Sequence, residues 1–278
     1  ESASSYVTVD GGTWVSDAGV CRIGNVNLLN GAIWEANVTN EDWGNFYLGA
    51  LSDGSDATVT VGGTAASQIK GSGNIKLGTN TQFNVADVTG DSNADLTASV
   101  RLDNQTNDQG SAAGGFTKLG AGTMVLSGAT NTYTGTTTVQ EGTLQINGAI
   151  DGAVIIDGGT LGGTGTIGGV VTVNSGGTHA PGASVGSQVA GGATWNAGGT
   201  FQFEINDALG TAGGPTGWDL LTLTDGSGTA TLDLTALSAS NPFTIEIVSL
   251  SGTTAGEIAN FVATQPCEWE FLTYQQLS

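Results

Sequence analysis

The sequence predicts an all-β chain wound as a parallel β-helix, a β-solenoid, with a C-terminal β cap. Three observations carry this: a Gly-Thr-apolar triplet that returns about once per coil, alternating apolar and polar residues around each triplet, and no helical period between them. The triplets are Gly122-Thr123-Met124, Gly142-Thr143-Leu144, Gly159-Thr160-Leu161, Gly177-Thr178-His179 and Gly199-Thr200-Phe201, at intervals of 20, 17, 18 and 22 residues. Thr123-Met124-Val125-Leu126, Thr143-Leu144-Gln145-Ile146 and Thr200-Phe201-Gln202-Phe203-Glu204-Ile205 show the period-two pattern of a half-buried strand. Toward the N-terminus, Gly11-Gly12-Thr13-Trp14 and Asn30-Gly31-Ala32-Ile33-Trp34 repeat it at an interval of 19, and Gly62-Gly63-Thr64 follows after a longer gap. The same architecture therefore begins near residue 6.

A period near 20 residues matches one turn of a three-sided coil and leaves no room for the helices of βαβ units. In such a coil every strand pairs with the strands one turn above and below. Gly and Asn take corners that need positive φ, Thr faces outward, and alternate Val, Ile, Leu and Phe stack inward. A sandwich of antiparallel hairpins would also place turns every ~8–12 residues; only the longer repeat separates the two readings. By repeat quality the chain divides into looser coils over residues 1–115, a regular repeat over 116–205 and a terminal region over 206–278. The last fits a cap or terminal β-roll, because a solenoid end must cover its unpaired edge and its apolar core.

Composition narrows the function classes. The 47 glycines in 278 residues follow no Gly-X-Y period and come with only 4 prolines, which excludes a collagen and a Pro-rich spacer. Acidic residues number 25 against 5 basic ones, for a formal net charge of −20. Arg22, Lys70, Lys76, Arg101 and Lys118 are scattered, which counts against nucleic acid and anionic lipid as partners, since both need clustered cations. No run of 18 or more apolar residues exists, and the stretch opening Glu1-Ser2-Ala3 lacks the basic and apolar regions of a signal peptide. The chain reads as a mature, exported protein with no membrane span, and its scarcity of Lys and Arg suits exposure to external proteases.

Residues 116–147 carry Lys118-Leu119-Gly120, Gly122-Thr123 leading to Leu126-Ser127-Gly128, Asn131-Thr132-Tyr133-Thr134-Gly135, Thr137-Thr138-Val139 and Gly142-Thr143-Leu144. This stretch closely resembles the passenger-associated repeat of bacterial autotransporters. The resemblance implies a right-handed parallel β-helix on the bacterial surface, and it extends more loosely to about residue 205. Gly177-Thr178-His179-Ala180-Pro181-Gly182-Ala183-Ser184 is similar to the Gly-Thr-Leu-x-Pro-Gly-Asn-Ser turn common in such proteins, with His179 and Ala183 departing from it. Passengers of this kind precede a membrane β-barrel, for which the residues after 205 are too few. Residues 206–278 instead resemble the last part of autotransporter-like surface proteins that end in a sorting tail, through Glu204-Ile205-Asn206-Asp207, Trp218-Asp219-Leu220-Leu221 and Phe243-Thr244-Ile245.

Candidate chemistry is sparse. Serine-type hydrolysis needs a base beside the nucleophile, and the one histidine, His179, lies in a Gly-Pro turn, so Gly90-Asp91-Ser92 has no partner and His179 reads as a corner residue. Asp87, Asp91, Asp95, Asp103 and Asp108 form the densest acidic group. Their spacing fits neither an EF-hand nor a Gly-Gly-x-Gly-x-Asp calcium repeat, which favours a solvated acidic face over a Ca²⁺ site. Trp14, Trp34, Trp43, Trp195, Trp218 and Trp269 offer sugar-stacking platforms, but Trp14 and Trp34 follow corresponding Gly turns and read as core. Asn37-Val38-Thr39 and Asn104-Gln105-Thr106 match the glycosylation pattern at a frequency that chance explains in a Thr-rich chain. No catalytic, cofactor or metal residues are assigned.

Cys21 and Cys267 are an even pair in an exported chain, which suggests a disulfide. With roughly ten coils between them at about 4.8 Å each, the sulfurs stand on the order of 50 Å apart, against the ~7 Å Cα limit for bridging. An internal bond then requires the C-terminal region to fold back. The alternatives are a bond from Cys267 of one subunit to Cys21 of the next, through an open head-to-tail interface, or two buried free thiols. The sequence thus points to a non-catalytic extracellular structural protein: a stalk, adhesin or filament subunit whose partners are copies of itself, with surface polysaccharide as a further candidate. The alternative is a carbohydrate-binding or carbohydrate-cleaving β-helix, which requires a row of carboxylates and aromatics on one face.

Overall fold

The computed structural model describes residues 6–16, 21–37, 46–49, 57–107 and 110–277, and among these every regular element is a β-strand. No helix is long and apolar enough to cross a membrane. The chain packs as two compact units, Glu1–Ala153 and Val154–Ser278. Each unit is a stack of parallel coils.

In the N-terminal unit three strands make one coil, one on each face. The first face runs through Tyr6–Asp10, Asn25–Leu29, Ala57–Gly62, Thr81–Val85, Phe116–Leu119 and Thr137–Val139, each parallel to the next. The second runs through Thr13–Ser16, Ile33–Ala36, Ser67–Lys70, Leu96–Ala98, Thr123–Leu126 and Thr143–Ile146. The third begins with Cys21–Ile23, Phe46–Leu48, Asn74–Leu77 and Arg101–Asn107, and Arg101–Asn107 turns back antiparallel into Gly110–Ala112.

Because side chains alternate along a strand and the register is strict, identical faces stack into ladders. Val7, Val26, Val59, Phe83, Lys118 and Val139 align down the first face, at successive steps of 19, 33, 24, 35 and 21 residues. The steps differ in length, yet the ladder stays in register. On the second face Trp14, Trp34, Ile69, Ala98, Leu126 and Ile146 align. Trp14 stacks on Trp34 at 5.3 Å and 20°, and Phe46 meets the two rings at 4.8 and 4.9 Å, so both tryptophans belong to core packing. Burying each such apolar side chain contributes about 1.5–3 kcal/mol.

The C-terminal unit follows the same rule with longer strands. Val154–Ile156, Thr166–Val173 and Ser187–Trp195 stack on one face, and Ser187–Trp195 is then paired by both Leu220–Leu223 and Thr231–Asp233. Thr160–Gly162, Thr178–His179, Thr200–Ile205 and Thr244–Ser251 stack on the other. Strands from residues 206–278 thus continue the parallel ladders. Their last rungs, Ile245 (46 % exposed), Ile247 (64 %) and Leu277 (58 %), stay open although they sit in register with inward Phe201, Phe203 and Leu232. Residues 206–278 thus extend the stack.

The repeated glycines have two separate causes. Gly142 turns at φ +62°, where a side chain is strained. Gly177 has no such φ, yet a Cβ there would sit 2.6 Å from the Ile156 carbonyl oxygen of the coil below. The triplet glycine therefore lets coils close to strand-pairing distance, a need separate from turn geometry.

Candidate functional site

The inward ladder of the N-terminal unit is interrupted by a cation. Alternation along Phe116–Leu119 turns Lys118 inward with Phe116, between Phe83 and Val139, and the side chain is fully buried. Its Nζ donates to three carbonyls, Leu119 O (3.0 Å), Gly120 O (2.7 Å) and Glu141 O (3.1 Å). Burial pulls its pKa down to about 8, opposed by the Asp95 and Glu141 carboxylates. Asp95 is buried as well, which corrects the expectation of a solvated acidic face at that position. It ties a loop to the next coil, accepting from Val88 N, Thr89 N, the Thr89 hydroxyl and Thr123 N at 2.7–3.0 Å.

The remaining acidic residues of that group scatter. Asp87 and Asp91 close exposed turns, accepting from Gly90 N and Asn93 N. Asp103 takes Lys76 at 2.6 Å, Arg101 at 3.1 Å and the Thr132 hydroxyl. Burial raises its carboxyl, and the Lys76 and Thr132 contacts more than offset that, leaving it below the ordinary value. Asp108 lies outside the described residues, as do Trp43, Val38 and Thr39. Asn104 is built into the fold, its Oδ1 accepting from Gly114 N and Thr134 N. Among the described residues no three of His, Cys, Asp and Glu gather as metal ligands.

His179 is a core residue of the C-terminal unit. The Gly-Thr-X register that turns Leu161 and Phe201 inward turns it inward too, and it is fully buried with its ring against Phe201 at 5.7 Å. Nε2 donates to Gln188 Oε1 (2.7 Å), whose amide in turn donates to Gly162 O, and Nδ1 has no partner. This is the neutral tautomer, and burial lowers its pKa to about 4. The ring is enclosed in the core, where the sequence suggests a corner residue.

Asp219 is the second buried titratable group of this unit. Its carboxylate accepts from Glu204 N (2.7 Å) and Gly186 N (2.9 Å), bracing the loop after Thr200–Ile205. Burial pushes its pKa up to about 8; the two N–H groups pull it back in part and the Glu204 carboxylate adds to the rise. Both of its described hydrogen bonds are to backbone N–H groups.

Trp195 and Trp269 share an open cleft with Phe271 and Tyr274, whereas Trp218 donates to Glu270 O at 2.9 Å. Cys21, half-exposed in the first strand of the third face, has its thiol raised by burial, and Cys267 is exposed; both are free thiols. Residues 116–146 match the family model of the passenger-associated-transport-repeat. No curated protein and no solved structure matched the chain. The match makes that stretch similar to an autotransporter passenger repeat, a kind that implies a secreted or surface-exposed protein.

Proposed function

We propose that this chain is a non-catalytic structural protein of the bacterial surface, a stalk or filament subunit that joins copies of itself head to tail through open coil edges. The observation that carries this reading is the uncovered last rung of the C-terminal unit. Ile245 and Ile247 hold inward ladder positions yet are exposed on the strand Thr244–Ser251, an edge that invites another parallel strand. The complementary edge is Thr13–Ser16, paired on one side by Ile33–Ala36 and carrying exposed Val15. Cys267 and Cys21 then supply a covalent lock between neighbours, in an oxidising compartment that permits one.

The test combines negative-stain imaging of the intact chain with a non-reducing gel. Rods much longer than one molecule and a ladder of Cys21–Cys267-linked oligomers are expected. Ile247→Lys places a charge on the edge and is expected to leave single particles. Monomers at every concentration, or a Cys21–Cys267 peptide in the digest of the non-reduced monomer band, overturn the proposal.

A further inference from the structure

The cleft in the C-terminal unit is assembled from stretches far apart in sequence. Trp195 ends the strand Ser187–Trp195, while Trp269, Phe271 and Tyr274 come from the final segment; together with Glu270 and two leucines they line an open space of about 230 Å³. The four rings differ in what they already do. Trp195 is 5 % exposed, stacked on Phe243 at 4.5 Å and 6°, and Phe271 packs against Phe201 and Phe203 at 5.5 Å, so these two form a rigid floor. Trp269 is half-buried with its N–H on Ala208 O, and Tyr274 is 48 % exposed. These two offer aromatic surface to a ligand.

The lining and the charge of the unit fix the chemistry of that ligand: Trp269 and Tyr274 supply flat aromatic faces and Glu270 a hydrogen-bond acceptor beside them. Residues 154–278 contain no Lys or Arg but ten Asp and Glu, which weighs against a carboxylated or phosphorylated ligand. The space is small for a polymer segment and suits one ring. We infer that the cleft binds a neutral pyranose, with its C–H face on Trp269 and Tyr274 and a hydroxyl donating to Glu270. This site is independent of head-to-tail assembly.

Titration calorimetry of the intact chain with methyl galactopyranoside and methyl glucopyranoside tests this, with glucuronate, choline and dimethylbutanol as comparators. At least one neutral glycoside is expected to bind with a dissociation constant of about 1 mM, and glucuronate about tenfold more weakly. Tyr274→Ala should weaken the glycoside about tenfold at unchanged melting temperature, and Trp269→Ala should weaken it by a similar factor. Glu270→Gln, which keeps the shape and an acceptor oxygen while removing the charge, should weaken it less than either. The inference is overturned if neither glycoside binds, if dimethylbutanol binds as tightly as the sugar, if choline binds and the sugars do not, or if Tyr274→Ala leaves sugar affinity unchanged.

Discussion

The two units share one architecture and solve the burial of polar groups in opposite ways. The N-terminal unit holds all five Lys and Arg of the chain and buries charge with its partners: Lys118 under three carbonyls, Asp95 under three backbone N–H groups and a hydroxyl, Lys76 against Asp103. The C-terminal unit has no cation to spend on pairing and holds its buried groups toward their neutral forms, His179 with its pKa near 4 and Asp219 with its pKa near 8. The coil ladder therefore demands only that an inward position fill its space and satisfy its hydrogen bonds; it does not dictate how.

The largest effect should come from breaking a charged solution. Lys118→Met keeps the volume but strands three carbonyls, and urea unfolding should show a loss of about 3 kcal/mol or more in the N-terminal unit. A loss below about 1 kcal/mol would mean that water replaces the ammonium there.

Asp219 tests the neutral solution through pH. Its folded pKa lies above its unfolded value, so the folded unit holds a proton that the unfolded chain releases, and stability falls as pH rises from about 4 to 8. His179 acts with the opposite sign: its folded pKa lies below its unfolded value, so stability is complete above about 6.5 and falls as pH drops toward 4. Between pH 4 and 6.5 the two slopes cancel, and from 6.5 to 8 only that of Asp219 remains, worth roughly 2 kcal/mol. Asp219→Asn should flatten that upper window in unfolding curves taken at several pH values.

The smallest change is expected from His179→Leu, which restores the residue type of Leu161 one rung below. It strands the buried Gln188 Oε1 but also removes the unpaired Nδ1 and adds apolar packing, so stability should move by no more than about 1 kcal/mol at pH 7. The same variant should lose the cancelling slope, exposing the fall due to Asp219 over the whole range from pH 4 to 8. A large loss at pH 7 would show that the imidazole, despite its unpaired Nδ1, anchors the strand Ser187–Trp195 through Gln188.

Much of this was written locally. The Gly-Thr period located the coils, and the shared position of Trp14 and Trp34 after their Gly turns placed both on one ladder. His179 was also legible: the third residue of every other triplet from Gly122 onward is apolar, so the register turned it inward even as the Gly-Pro turn suggested a corner. Lys118 was recoverable in the same way from the alternation Phe116-Thr117-Lys118. Asp95 and Asp219 were not, because their burial depends on loops whose sequences follow no repeat and on N–H groups contributed by neighbouring coils. The cleft was hidden for a simpler reason. Trp195 and Tyr274 meet only once the final segment has paired, and nothing local to either residue records the other.

The uneven steps of the Val7-to-Val139 ladder carry a consequence of their own. Coils of 19 and of 35 residues stack in one register, so added length leaves the pairing of the ladder as it was. Lineages of such a chain can lengthen, shorten or exchange connecting segments while inheriting the same scaffold. Diversification of what the outside world meets is thereby uncoupled from the survival of the fold.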